Sequence, residues 1–263
     1  MPALDLGADL ALLSDAARAA GDIARPFFEG DVTVWDKSGG QGPVTEADLA
    51  IDAMLTAQLL GARPQYGWLS EETEDDSARL QADTVFIIDP IDGTRAFVEG
   101  HSNWSHSLAI AHQGQVVAAA VYVPMRDLLY AATLGGGATL NGVPMTTTVA
   151  DETGARVLAA KPNFAEGFWP GGVPPLERHY RSSLAYRLSL VAAGDFDAML
   201  TLRPTWEWDV AAGTLLVSEA GGLATQMDGA APRFNTPEHC LNGIVAAGPA
   251  LHGQLLSRLT AQP

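Results

Sequence analysis

The sequence predicts a mixed α/β protein, α+β in its first half and more alternating α/β in its second. Three observations carry this expectation. Leu6, Leu10, Leu13, Ala17, Ala20, Ile23, Ala24 and Phe27 recur mostly at the three- and four-residue spacing of a helix face. Val85-Phe86-Ile87-Ile88 is a short apolar run rich in β-branched residues, and further strand-like segments follow it. From Val157 onward, strand-like and helix-like segments alternate.

The elements follow in order. The first helix has Pro26 near its end and closes at Gly30. Val32 to Trp35 forms a short strand, and a glycine-rich loop follows from Lys37 to Pro43. Thr45 is placed to cap a second helix, with Asp48 three residues on in the position of the capping-box acid. Strands are expected at 85–88, 107–111, 116–123 and 128–132, with turns at Gln113-Gly114, Gly135 to Gly137 and Asn141-Gly142. The second half gives strands at 157–160, 196–202 and 244–247, and helices at 184–193, 209–220 and 250–259. The chain contains no internal repeat, low-complexity tract or linker.

Charge and composition narrow the function. The 263 residues carry a net charge of −16, which argues against duplex nucleic acid or an anionic membrane as a partner. Cys240 is the single cysteine and has no internal partner, which fits a reducing compartment; it reads as a small buried hydrophobe. The N-terminus is acidic where a signal peptide needs basic residues, and no apolar run reaches the ~18 residues of a membrane span. A cytoplasmic location is expected.

The strongest chemical signal is Asp89-Pro90-Ile91-Asp92-Gly93-Thr94. Directly after a buried strand, it sets two carboxylates on one rim, and Gly93 permits a tight turn. A helix beginning near Arg95 aims the Gly93 and Thr94 amides at the same place, which favours an anion. Carboxylates and an anion share a pocket when hard divalent cations sit between them, and Mg²⁺ is the natural choice. Two plainer readings compete: an Asx-type turn for this segment, and a helix N-cap for Asp209. The acids at Glu74, Asp75 and Asp76 read as a solvated loop, with Glu72 in between. No His-Glu-x-x-His pair or Gly-x-Ser-x-Gly elbow is present, so neither zinc chemistry nor a serine nucleophile is indicated.

Four separated motifs, in order, resemble the inositol monophosphatase family of Mg²⁺-dependent, lithium-sensitive phosphatases. They are Pro43-Val44-Thr45-Glu46-Ala47-Asp48, Leu69-Ser70-Glu71-Glu72, the Asp89 to Thr94 segment, and Trp208-Asp209-Val210-Ala211-Ala212-Gly213 with Glu219-Ala220-Gly221-Gly222 behind it. The resemblance implies a layered αβαβα sandwich of the sugar-phosphatase type, in one unit. Residues 1–134 would form an α+β part with most metal ligands, and 135–263 an α/β part with the specificity elements. It implies two or three Mg²⁺ ions held by Glu71, Asp89, the Ile91 carbonyl, Asp92 and Asp209. Glu71, Thr94 and Asp48 would be the catalytic set, Thr94 and Asp48 orienting and deprotonating the attacking water. The Gly93 and Thr94 amides would hold the phosphate. Family members are often homodimers.

The choice of substrate rests on the second half. Ser182-Ser183-Leu184 lacks the family's glycine there. Arg187 falls where the family's bisphosphate nucleotidases carry a lysine, and Pro204-Thr205-Trp206-Glu207-Trp208-Asp209 is similar to their motif. The favoured expectation is a 3'(2'),5'-bisphosphate nucleotidase acting on 3'-phosphoadenosine 5'-phosphate. Arg187 would pair with the second phosphate and Trp206 or Tyr186 would contact the base. The plainer readings are a surface salt bridge for Arg187 and core packing for Trp206. Inositol 1-phosphate, histidinol phosphate and fructose 1,6-bisphosphate stay open as substrates. So does a catalytically silent relative acting as an interaction protein.

Overall fold

Asp5 starts the first helix by accepting the Ala8 amide at 3.0 Å, and α1 runs over Leu6–Glu29. The computed structural model describes residues 4–36 and 42–259. The glycine-rich loop expected at Lys37 to Pro43 therefore lies outside the described residues up to Gln41. The strand expected at Val32 is shifted: β1 is Val34–Asp36, paired antiparallel with β2, Pro43–Thr45. Helix α2, Glu46–Ala62, begins with the expected capping box between Thr45 and Asp48.

A seven-stranded sheet follows. Its strands are β3 (Gly67–Ser70), β4 (Thr84–Asp92), β5 (Ser105–His112), β6 (Gln115–Val123), β7 (Leu128–Thr133), β8 (Gly137–Leu140) and β9 (Val143–Pro144), side by side in chain order. Only β3 and β4 are parallel. The short helix α3, Thr94–Val98, sits between β4 and β5. The hairpin dipeptides behave as read: Gln113-Gly114 and Asn141-Gly142 each hold two consecutive positive φ angles. The sheet continues to Pro144, so the expected division at 134/135 falls inside the β7–β8 hairpin.

The second sheet has the order β11-β10-β12-β14-β13, with β10 (Arg156–Ala159), β11 (Glu177–His179), β12 (Ala198–Trp206), β13 (Leu223–Thr225) and β14 (Cys240–Ala247). Helices α4 (Leu184–Ala192), α5 (Glu207–Glu219) and α6 (Pro249–Leu259) complete the chain.

Alternation along β4 shows how the layers form. Phe86 and Ile88 pack with α1 and α2, whereas Val85 and Ile87 face α4 and α5. All nine β4 residues are buried, because helices cover both faces of the strand. Leu158, Met199, Ile244 and Ala246 of the second sheet face the same inner helices. Val157, Leu200, Val245 and Ala247 face outward, where α6 covers them with Leu251 and Leu255. The layers are thus helix, sheet, helix, sheet, helix, the expected αβαβα sandwich. At Gly213 a Cβ would come within 2.4 Å of Leu188, so the closeness of α4 to α5 depends on that missing side chain. Among the described residues no helix is long and apolar enough to cross a membrane.

Candidate active site

Register alone brings Glu71 to Asp89. β3 and β4 pair in parallel with Ser70 opposite Ile88, and the Glu71 amide extends the ladder by donating to the Ile88 carbonyl at 3.2 Å. Asp89 in turn faces Ser107 on β5. The Ser107 hydroxyl donates to the Trp208 carbonyl at 2.9 Å, which fixes the first turn of α5 and sets Asp209 beside Asp89. One carboxylate oxygen from each of Glu71, Asp89 and Asp209 lies within 4.8 Å of the others. Asp209 is the third residue of α5, whose N-cap is Trp206; the N-cap reading of Asp209 is corrected.

Asp89 and Asp92 are three residues apart, and in a regular strand they would point to opposite faces. A bulge changes this. Asp89 pairs with Ser107 and Asp92 with Ser105, so Pro90 and Ile91 together oppose one residue of β5. The bulge also explains how a proline is accommodated inside this strand. Gly93 follows at φ +100°, a conformation that an L side chain rarely adopts.

The two aspartates then differ. Asp92 is not part of the close triad. Its Oδ2 accepts from the Ser183 hydroxyl at 2.6 Å and the Ala185 amide at 2.7 Å, so it docks the N-terminus of α4. Burial pushes Asp92 up to about 6, against those hydrogen bonds. Asp89 Oδ1 is buried and has no hydrogen-bond partner. Burial first, then the charges of Glu71, Asp92, Asp209 and Glu72, raise Asp89 well above the ordinary carboxylate range. A buried, unpartnered carboxylate oxygen among other carboxylates is costly unless a cation is bound there. The donor set is all oxygen, which suits Mg²⁺ or another hard divalent ion. The residues present fit the group.

Beside this rim, the Thr94 hydroxyl lies 3.0 Å from the Ile91 carbonyl and 3.5 Å from Asp48 Oδ1. Asp48 Oδ2 accepts from the Thr45 amide at 2.8 Å and the Thr45 hydroxyl at 2.5 Å. The cap of α2 therefore also holds Asp48 toward Thr94.

Two substrate expectations meet a different environment. Tyr186 is buried in the core among α4, α5 and the central sheet, so it has no face to offer a base. Arg187 is buried too, and not a surface salt bridge. Its Nε donates to the Arg181 carbonyl at 2.6 Å, its Nη2 to Ser182 at 3.3 Å, and its guanidinium covers the Tyr180 ring. These bonds hold the segment leading into α4. Trp206 is partly exposed and stacks on Trp208 and His239, with centroids 5.2 and 5.3 Å away. Cys240 is half-buried, with burial raising its thiol pKa.

Several supporting residues lie outside the set expected from the sequence. Asp52 accepts from Ser70 at 2.5 Å and Thr73 at 2.8 Å, tying the Glu71 loop to α2; its place one turn beyond Asp48 could have revealed it. Two of the acids beyond Glu72 are not merely solvated: Asp75 pairs with buried Arg79, and Asp76 caps the turn at 77–81. Glu207 accepts from the amides of Asn235 and Thr236 and the Thr236 hydroxyl, while Arg79 holds Asn235 Oδ1 and the Thr236 carbonyl. Burial raises the Glu207 pKa against those bonds. Glu207→Ala leaves these donors unpaired next to Asp209. It is expected to cost about 2–4 kcal/mol, read as a fall in the denaturant midpoint.

A helix-flanked sheet with an acidic, oxygen-only rim defines a place for a hard divalent cation. The family follows from the sequence as a whole, since the profile of the inositol monophosphatase family matches residues 8–262. The chain belongs to that family. It is 34% identical to an inositol-1-monophosphatase of Rhizobium meliloti (strain 1021), over 81% of this chain and 82% of the relative. It is 31% identical to the Nus factor SuhB of Escherichia coli (strain K12), over 89% and 88% of the two chains. The crystal structure of the extragenic suppressor protein SuhB from Bartonella henselae superposes with a TM-score of 0.82 at 26% identity, covering 97% of this chain and all of that one.

Proposed function

We propose that this chain is a Mg²⁺-dependent phosphomonoesterase for a small, soluble phosphate ester. The observation that carries the reading is the unpartnered Asp89 Oδ1 within reach of Glu71 and Asp209. When bound there, Mg²⁺ lowers the pKa of a water, neutralises phosphate charge and stabilises the leaving alkoxide. Glu71, Asp89 and Asp209 hold it, with the Ile91 carbonyl and Asp92 on the same rim. The Thr94 hydroxyl orients the attacking water and Asp48 Oδ1 receives its proton. The Gly93 and Thr94 amides position the phosphate. Since the apo rim is anionic, substrate binding itself depends on the cation, and phosphate release stops in EDTA.

For the substrate, we propose 3'-phosphoadenosine 5'-phosphate, with Trp206 as the contact for the base. Its support is the partly exposed ring three residues before Asp209 and the Pro204 to Asp209 motif. The reading does not need Arg187 as a phosphate ligand. Inositol 1-phosphate is the second reading, favoured by the relative named inositol-1-monophosphatase. A panel of both esters with Mg²⁺ decides, and higher kcat/KM for inositol 1-phosphate overturns the nucleotide reading. Trp206→Ala is expected to raise KM for the nucleotide about 10-fold, with kcat and inositol 1-phosphate turnover little changed. Phosphate release from neither ester, with histidinol phosphate and fructose 1,6-bisphosphate also inert, would favour an interaction protein.

A further inference from the structure

The bulge that brings Asp89 and Asp92 to one rim has an unusual residue opposite it. Asp89 pairs with Ser107 and Asp92 with Ser105, so the residue facing Pro90 and Ile91 is His106. Ser105 and Ser107 turn toward α4 and α5, where their hydroxyls meet Ser183 and Trp208. By alternation His106 lies on the other face, and its ring packs against Trp104 and Tyr122. It is fully buried in that apolar layer.

Burying an imidazole there is costly unless it makes a bond that the fold needs. His106 makes one: its Nδ1 is hydrogen-bonded to the Pro90 carbonyl. A carbonyl can only accept, so the proton is on Nδ1. That leaves Nε2 as a bare acceptor, and it is buried without a partner. The arrangement sacrifices one nitrogen to secure the other on the bulge. The secured carbonyl belongs to the residue between Asp89 and Ile91. Fixing it fixes the peptide plane joining Pro90 to Ile91, and with it where the Asp89 carboxylate and the Ile91 carbonyl point.

We propose that His106 is a positioning residue of the cation site: its Nδ1–H holds the Pro90 carbonyl, so that the bulged segment after Asp89 keeps its oxygens on the rim of that site. This rests on the reading of the rim as a cation site. An apolar residue in its place would pack as well but would leave the carbonyl unheld, and the bulge could relax toward regular pairing. Asn at position 106 offers an amide donor near the place of Nδ1, whereas Leu offers none.

Mn²⁺ binding, followed by electron paramagnetic resonance on the full chain, tests this with His106→Leu and His106→Asn beside the parent. His106→Leu is expected to weaken Mn²⁺ binding roughly 10-fold, the lower end for loss of a residue supporting metal ligands, and His106→Asn to restore most of it. Unchanged binding in His106→Leu overturns the proposal, as does equal loss in both variants. No Mn²⁺ binding by the parent overturns the cation-site reading itself, and the proposal with it. The parent chain with ¹⁵N-labelled histidine supplies a test that needs no variant: a proton on Nδ1 of His106 supports the proposal, and one on Nε2 overturns it.

Discussion

Asp89→Asn is expected to reduce phosphate release by roughly 10³-fold or more while leaving the protein folded. The substitution keeps the shape of the side chain, removes its charge and exchanges one carboxylate oxygen for an NH₂ group. Asp89 is buried and one of its oxygens has no partner in the protein, so that charge is a burden on the apo fold. Four neighbouring carboxylates add to it. The apo variant should therefore melt a few degrees above the apo parent, at about 2–4 °C per kcal/mol for a chain of this size. Loss of activity together with gain of apo stability distinguishes a ligand for a cation from a structural acid. Circular dichroism melts in EDTA and a phosphate-release assay in Mg²⁺ read the two halves. An active variant, or an apo variant that melts well below the parent, would contradict this account.

The stabilisation supplied by Mg²⁺ should grow with pH. Asp92 lies at about 6 in the folded protein, against an ordinary value of 3.8. Burial and the charge of Glu71 push Asp89 in the same direction. A carboxyl raised by folding contributes stability that is whole below its unfolded pKa and lost as the pH climbs through the folded one. Above that point the apo fold carries unpaired carboxylates, and a cation has them to bind. His106, lowered to about 4 by burial, has the opposite sign: its contribution is whole above its ordinary 6.5 and lost as pH falls toward 4. That term is present with and without the cation, so it drops out of the difference. The increase in Tm on adding Mg²⁺ should be close to zero at pH 5. At pH 8, with Mg²⁺ at about 100 times its Kd, it should reach roughly 5–10 °C. Differential scanning calorimetry across this range reads it, and an increment that is flat or falls with pH contradicts the assignment.

Much of the site was legible in the sequence because its residues lie at element ends marked by local chemistry. Thr45 and Asp48 form a capping box, and Asp89 to Asp92 close an unmistakable buried strand. What the sequence concealed depends on contacts between distant segments. Nothing near Asp92 tells that its carboxylate docks α4 through Ser183, which is 91 residues away. Nothing near Arg187 or Tyr186 tells that α4 is buried on all sides, because a helix between two sheets has no polar face to betray its orientation. Short strands such as β8, β9, β11 and β13 were missed for a related reason: two to four residues are too few to show an alternation, and neighbouring strands decide them. The bulge at Pro90 is likewise a property of two strands, visible only in their register.

The central claim is that Glu71, Asp89 and Asp209 together hold a divalent cation. Anomalous diffraction from crystals grown with Mn²⁺ tests it most directly. The expected result is a peak within ligand distance of carboxylate oxygens of all three residues, and no such peak in crystals of Asp89→Asn. An active parent enzyme whose crystals show Mn²⁺ bound elsewhere, with this rim vacant, would contradict it.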